Sequence, residues 1–206
     1  SPPSLAQDAD RLIADGDILL VQGDPQKALG SYDAALRARP DARSRVARAR
    51  ALYALDHLDS YLLDVETALR LDSTLPEAHY QRAIYALRSQ DHQRAIRHCD
   101  SALRHGATGP LRAKTLVCRG EALAEVGSNE EALADLRQGI DTTAMTQDGM
   151  ATLARLLDAN GRYAEALPIL ERLCELDPKD VSHWTNRGFE LAMLGRHKEA
   201  LAIYDK

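Results

Sequence analysis

The residues best able to do chemistry lie close together: His92, His98, Cys99 and His105 fall within fourteen positions. Imidazole and thiolate are transition-metal ligands, and His98 and His105 stand two helical turns apart. A metal site needs three or four such groups converging on one point, with further groups orienting them. Cys99 falls on the apolar side of its helix and turns away from His98. The expectation is therefore surface imidazoles beside a core cysteine, with no metal and no cofactor. Other chemistry has no foothold. There is no G-x-x-x-x-G-K-[ST], H-E-x-x-H, G-x-S-x-G or C-x-x-C, so no catalytic residue is nominated.

Cys99, Cys118 and Cys174 are odd in number and widely spaced, which suits buried thiols in a reducing compartment better than a disulfide framework. The chain begins at Ser1-Pro2-Pro3 without methionine, and no signal peptide is visible. The expectation is that something upstream has been removed. A cytoplasmic and a periplasmic or secretory location both stay open. No stretch approaches the ~20 apolar residues of a membrane span.

Charge offers a second kind of chemistry. Arg37, Arg39, Arg43, Arg45, Arg48 and Arg50 sit within fourteen residues, opposed locally only by Asp41. The cluster reads as the solvated face of a long helix, with a docking patch for an acidic partner as the alternative. The formal net charge of −5 argues against a nonspecific nucleic-acid footprint.

The elements that position these residues follow from a repeat. Gly16, Ala49, Ala83, Gly120, Ala154 and Gly188 recur at steps of 33, 34, 37, 34 and 34 residues. Twelve positions after each stands alanine (Ala28, Ala95, Ala132, Ala166, Ala200), with Tyr61 alone out of type. Such self-similarity signals stacked supersecondary units, each contacting its neighbours. Aromatics are scarce at 4% and no β-branched run has period two, so the class is all-α.

In the last unit Trp184, Gly188 and Leu191 share one helix face, Leu194-Gly195 ends that helix, and a second helix carries Ala200 and Tyr204. Small residues at two fixed places let two antiparallel helices approach closely. Asp24 before Pro25 reads as an N-cap, and Ser128 to Glu131 has capping-box spacing. Pro40 and Pro178 stop second helices. The sum is twelve helices in six pairs.

This pattern resembles the tetratricopeptide repeat (TPR) family, through Trp184, Gly188, Ala200 and Tyr204 in unit six and Gly16, Ala28, Tyr32, Ala35 and Pro40 in unit one. The resemblance implies a right-handed α-solenoid of stacked antiparallel pairs. Its units run over about 9–41, 42–75, 76–112, 113–146, 147–180 and 181–206, after an N-terminal extension at 1–8. Three departures stand out. Arg45 and Arg48 occupy places usually apolar, and Tyr61 implies a wider crossing or a ring turned outward. The longer segment from His105 to Pro110 suggests a hinge. Unit six stops at Lys206, leaving Leu201 and Tyr204 without a following helix. That end reads as a fragment boundary or a surface for self-association.

In such proteins first helices line a concave groove. The register turns Asp10, Asp17, Arg43, Arg50, Tyr80 and Ile84 inward, then Lys114, Glu121, Arg155, Asp158, Asn186 and Phe189. Mixed charge with a few apolar contacts suits an extended peptide or a partner helix. The carboxylate clamp of chaperone-binding members is met only by Asn186, so an acidic chaperone tail is not expected. The resemblance thus implies a non-enzymatic protein-binding scaffold of unknown partner. One alternative is the substrate-recruiting or regulatory arm of a larger enzyme or signalling protein. Another is an RNA-binding repeat array, for which the groove lacks stacking aromatics.

Overall fold

A computed structural model describes residues 5–140 and 145–204. Lys206 and the Ser1-Pro2-Pro3 start lie outside the described residues. Twelve α-helices follow one another, with no strand among the described residues. They are α1 (Leu5–Val21), α2 (Pro25–Ala38), α3 (Ala42–Ala54), α4 (Leu58–Leu71), α5 (Pro76–Arg88) and α6 (His92–Arg104). Then come α7 (Gly109–Glu125), α8 (Asn129–Gly139), α9 (Gln147–Ala159), α10 (Tyr163–Leu176), α11 (Val181–Met193) and α12 (His197–Tyr204). Consecutive helices pack pairwise as an α-solenoid, and the chain divides into two compact units, Ser1–Leu111 and Arg112–Lys206.

Every pair is closed by the same turn. The third residue past the helix, Asp24, His57, Asp91, Ser128, Arg162 or Arg196, donates its N–H five residues back, to Leu19, Leu52, Ala86, Leu123, Leu157 and Leu191 in turn. This geometry puts the residue just before it in the left-handed region, which glycine enters without cost. Gly23, Gly127, Gly161 and Gly195 oblige, but Asp56 (φ 60°) and Gln90 (φ 57°) hold the same place with a side chain.

The next helix begins at once. Asp24 caps α2 by accepting from the Lys27 N–H at 3.1 Å, with Pro25 behind it. Ser128 stands at the start of α8 but its hydroxyl caps nothing, so the capping-box spacing there is not used.

The small-residue rule has a definite partner. A Cβ on Gly16 would come 2.5 Å from the Tyr32 ring, one on Gly188 2.5 Å from the Tyr204 ring, and one on Gly120 2.7 Å from Leu136. Each partner lies sixteen residues on, four beyond the repeat alanine. Where the small residue is Ala49, the residue sixteen on is Val65, and both join one buried cluster. In these three pairs glycine thus makes room for a ring or a leucine.

Tyr61 turns out neither to splay its pair nor to point outward. It is wholly buried beside Ala49 and Val65, and its hydroxyl donates to Gln81 of α5. Its ring stacks on Tyr85 and tilts against Tyr53, so it joins α4 to the following pair. All three cysteines are buried and none forms a disulfide among the described residues, as core residues should be.

Candidate functional site

The arginine cluster is answered from elsewhere in the fold rather than only by Asp41. Asp64 on α4, 1% exposed at its side chain, accepts from Arg45 at 3.0 Å and from Arg48 Nε at 2.6 Å and Nη2 at 2.8 Å. Arg48 also reaches Asp33 at 3.0 Å, Arg39 reaches Asp10 at 2.6 Å, and Arg50 reaches Asp17 at 2.6 Å. The two arginines at places usually apolar therefore hold a buried carboxylate. Such a bidentate, desolvated pair is strong only because both partners are present. The arginines that offered a docking patch for an acidic partner are in large part paired with acids of the same chain.

A rule missed in the sequence emerges here. Arginine immediately precedes the small residue in four of the six repeats, and each time it pairs with an acid sixteen residues away. Arg48 meets Asp64 and Arg119 meets Asp135, both within their own pair. Arg82 meets Glu66 at 3.5 Å and Arg187 meets Glu171 at 3.2 Å, reaching back to the preceding pair. The signal was legible as a second periodicity, of charge rather than size.

In the first unit the inward candidates are largely engaged. Asp17 accepts from both Arg50 and the Tyr32 hydroxyl, the latter at 2.6 Å, and the Arg50 guanidinium lies 5.5 Å from the Tyr32 ring centre. Asp10 is taken by Arg39, while Arg43 is exposed and Tyr80 and Ile84 are half-buried. His79, which the sequence did not nominate, gathers the histidines. Its Nδ1 lies 3.1 Å from Nδ1 of His98, and its ring stacks on His105. Burial holds both His79 and His98 below the usual imidazole range, His98 at about 4. No group of three or more metal-ligating side chains converges among the described residues.

The second unit differs. Lys114 is exposed on α7. Glu121 accepts from the Thr146 hydroxyl, and burial raises its carboxyl above the ordinary range. Arg155, Asp158, Asn186 and Phe189, from two different helices, line one cavity of about 390 Å³ between α9, α10 and α11. Leu170 and Leu173 of α10 form its apolar back wall. Phe189 is 45% exposed, an unusual place for a phenyl ring, and meets the Tyr163 ring edge-on at 6.4 Å between ring centres. Arg155 reaches toward Glu125 at 3.7 Å, with both side chains more than half exposed, so that contact contributes little.

Two cavity residues escaped the sequence. Glu190 is 2% exposed, and its Oε2 has no hydrogen-bond partner among the described residues. Desolvation first, and the charge of Asp158 second, push its carboxyl up to about 7. His183 keeps an unpartnered Nδ1 at the same cavity, with Nε2 3.5 Å from Asp180.

Profiles described as tetratricopeptide repeat match residues 13–60 and 80–144, and a second such profile matches 148–189. No curated protein matches the sequence. Among solved structures, pilF of Pseudomonas aeruginosa superposes with a TM-score of 0.79 at 16% identity, over 98% of this chain and 90% of that one. PilW, described as a widely conserved type IV pilus biogenesis factor, gives 0.74 at 17% identity, over 96% and 90%. YrrB, described as a TPR protein with an unusual peptide-binding site, gives 0.65 at 22% identity, over 84% and 89%. At these identities the likeness concerns the fold. No helix of the described residues is long and apolar enough to cross a membrane.

Proposed function

Because the chain belongs to the tetratricopeptide repeat family, a family of protein-interaction scaffolds, we propose that it grips a peptide or partner helix on its first helices, without chemistry of its own. The observation carrying this reading is the cavity of the second unit, where Arg155, Asp158, Asn186 and Phe189 meet. Each comes from a first helix, α9 or α11, so the repeat itself supplies the lining. An exposed phenyl ring beside an exposed amide offers one apolar anchor and one backbone-like hydrogen-bonding group, which is what an extended segment needs. In the first unit the equivalent charges Asp10, Asp17 and Arg50 are held by intramolecular pairs, and they shape the surface more than they bind.

A random peptide library displayed on phage and selected on the full chain tests this. Selected peptides should lose at least tenfold in affinity on Phe189→Ala and on Asn186→Ala, while Arg43→Ala in the first unit changes little. Equal affinity for all three variants would place the binding face elsewhere and sink the reading.

A further inference from the structure

Every stable fold avoids burying a carboxylate without a partner, because the desolvation cost is not recovered. Glu190 breaks that rule at a cavity wall, and its surroundings say what is missing. The groups around it come from three helices: Glu125 from α7, Arg155 and Asp158 from α9, and His183 from its own α11. From α10 the lining is aliphatic, Leu170 and Leu173. Three carboxylates thus face one arginine, and that arginine leans toward the outermost of them, Glu125. The inner pair, Glu190 and Asp158, has no cation in hydrogen-bond range among the described residues.

Resting on the reading of this face as a peptide-binding surface, we propose that the cavity receives one long cationic side chain, lysine or arginine, from the bound segment. Its charged head sits between Glu190 and Asp158, and its methylene stem lies along Leu170, Leu173 and Phe189. Three features agree on this occupant. Charge is complementary, since a cation supplies the partner Glu190 lacks. Shape is complementary, because a long basic side chain is apolar along its stem and polar only at its tip, and the cavity offers both aliphatic groups and acids. The exposed Phe189 ring adds a face on which the cation or its stem can rest. An acidic or neutral side chain satisfies none of these.

Occupancy is coupled to a proton. Near neutral pH the Glu190 carboxyl is partly protonated, held so by burial and by Asp158. An entering cation favours the ionised form, so the proton leaves to solvent as the side chain enters. The ligand's own charge stays positive throughout this range. Binding should therefore strengthen about tenfold from pH 6 to pH 8, following the ionised fraction of a group with its midpoint near 7.

The test uses the full chain and three capped single residues as probes: the acetyl N-methylamides of arginine, lysine and norleucine. Side-chain carboxyl ¹³C shifts of glutamate are followed by NMR at pH 6 and pH 8. The expected result is a saturable shift of the Glu190 resonance with the arginine or lysine probe, about tenfold weaker at pH 6, and none with norleucine. Glu190→Gln should abolish tight binding of the cationic probes. Asp158→Asn should weaken them while leaving Glu190 in place, a control should the first variant fold poorly. Equal shifts with norleucine, or no shift of Glu190 with any probe, overturn the proposal. If peptides selected on the chain still depend on Phe189 and Asn186 in that case, the binding-face reading survives without the cationic pocket.

Discussion

The two compact units share one turn, one packing rule and one arginine rule, yet they dispose of charge in opposite ways. In the first, the buried carboxylate Asp64 is held by two arginines, and Asp17 by an arginine and a tyrosine hydroxyl. In the second, Asp135 has its arginine at 2.6 Å, but Glu190 has none. The difference teaches where a repeat scaffold keeps binding capacity. Paired charge inside a helix layer fixes the stack; unpaired charge at a cavity wall is left for something that comes from outside.

The largest expected effect comes from breaking the satisfied side. Asp64→Ala takes the buried acid from Arg45 and leaves Arg48 with Asp33, and should cost about 3–5 kcal/mol, read from urea unfolding of the full chain. Asp135→Ala strands one arginine and should cost about 2–3 kcal/mol. A loss below about 1 kcal/mol for Asp64→Ala would mean that these arginines are hydrated and that the contrast between units is not real.

Next comes pH, with opposite signs in the two units. Glu190 has its folded-state midpoint raised from 4.5 to about 7. The folded state then holds an extra proton between those values, so its contribution is full below about 4.5 and is lost as pH rises through 7. The loss is at most about 3 kcal/mol, and Glu190→Gln should remove it. His98 has its midpoint lowered from 6.5 to about 4, mainly by burial, with His79, Arg82, Arg94 and Arg97 adding to it. There the unfolded state takes the proton first, so stability is full above about 6.5 and is lost as pH falls toward 4. Hydrogen exchange resolved by peptide should show α5 and α6 loosening on acidification and α11 loosening as pH rises. Parallel trends in both would contradict the assignment.

Smaller effects sharpen the shared rules. Gly16→Ala pushes a methyl into the Tyr32 ring, which is wholly buried and has nowhere to go, at a cost of about 1–3 kcal/mol. Gly188→Ala meets the Tyr204 ring at the same distance, but that ring is 54% exposed and can swing away. Alanine's better helix propensity, worth about 1 kcal/mol, should then make that change nearly neutral in thermal unfolding. The smallest effect is at a turn: Gln90→Gly relieves a residue with a side chain held in the left-handed region, and should raise stability by a few tenths to about 1 kcal/mol. A drop in melting temperature would show that the glutamine side chain contributes more than its backbone strain costs.

Much of this was legible in the residues. The period of 34 could be read because a size constraint leaves only glycine or alanine, and the helix pairs followed from it. Glycine facing tyrosine at a spacing of sixteen was there to be seen as well. What could not be read depended on neighbours fixed by stacking. Tyr61 looked like a fault because its pair seemed too tight for a ring; Gln81, which accepts its hydroxyl, belongs to the next pair. The arginine cluster looked unopposed because its acids lie on α1, α2 and α4, fifteen to thirty-three positions away. Glu190 reads as any surface glutamate on a helix, and its burial exists only where α9, α10 and α11 close around it.

The spacing of sixteen also sets how the chain reaches its fold. When the tightest contacts of each pair, such as Gly16 with Tyr32 or Arg48 with Asp64, close a loop of about the same short length, the entropy of closing each is small and nearly uniform. Contact order stays low however many repeats are joined, so folding should be fast and able to start at more than one pair. A pair weakened by mutation then opens locally while its distant neighbours hold. The second unit can in this way adjust its cavity to a bound segment without unfolding the first.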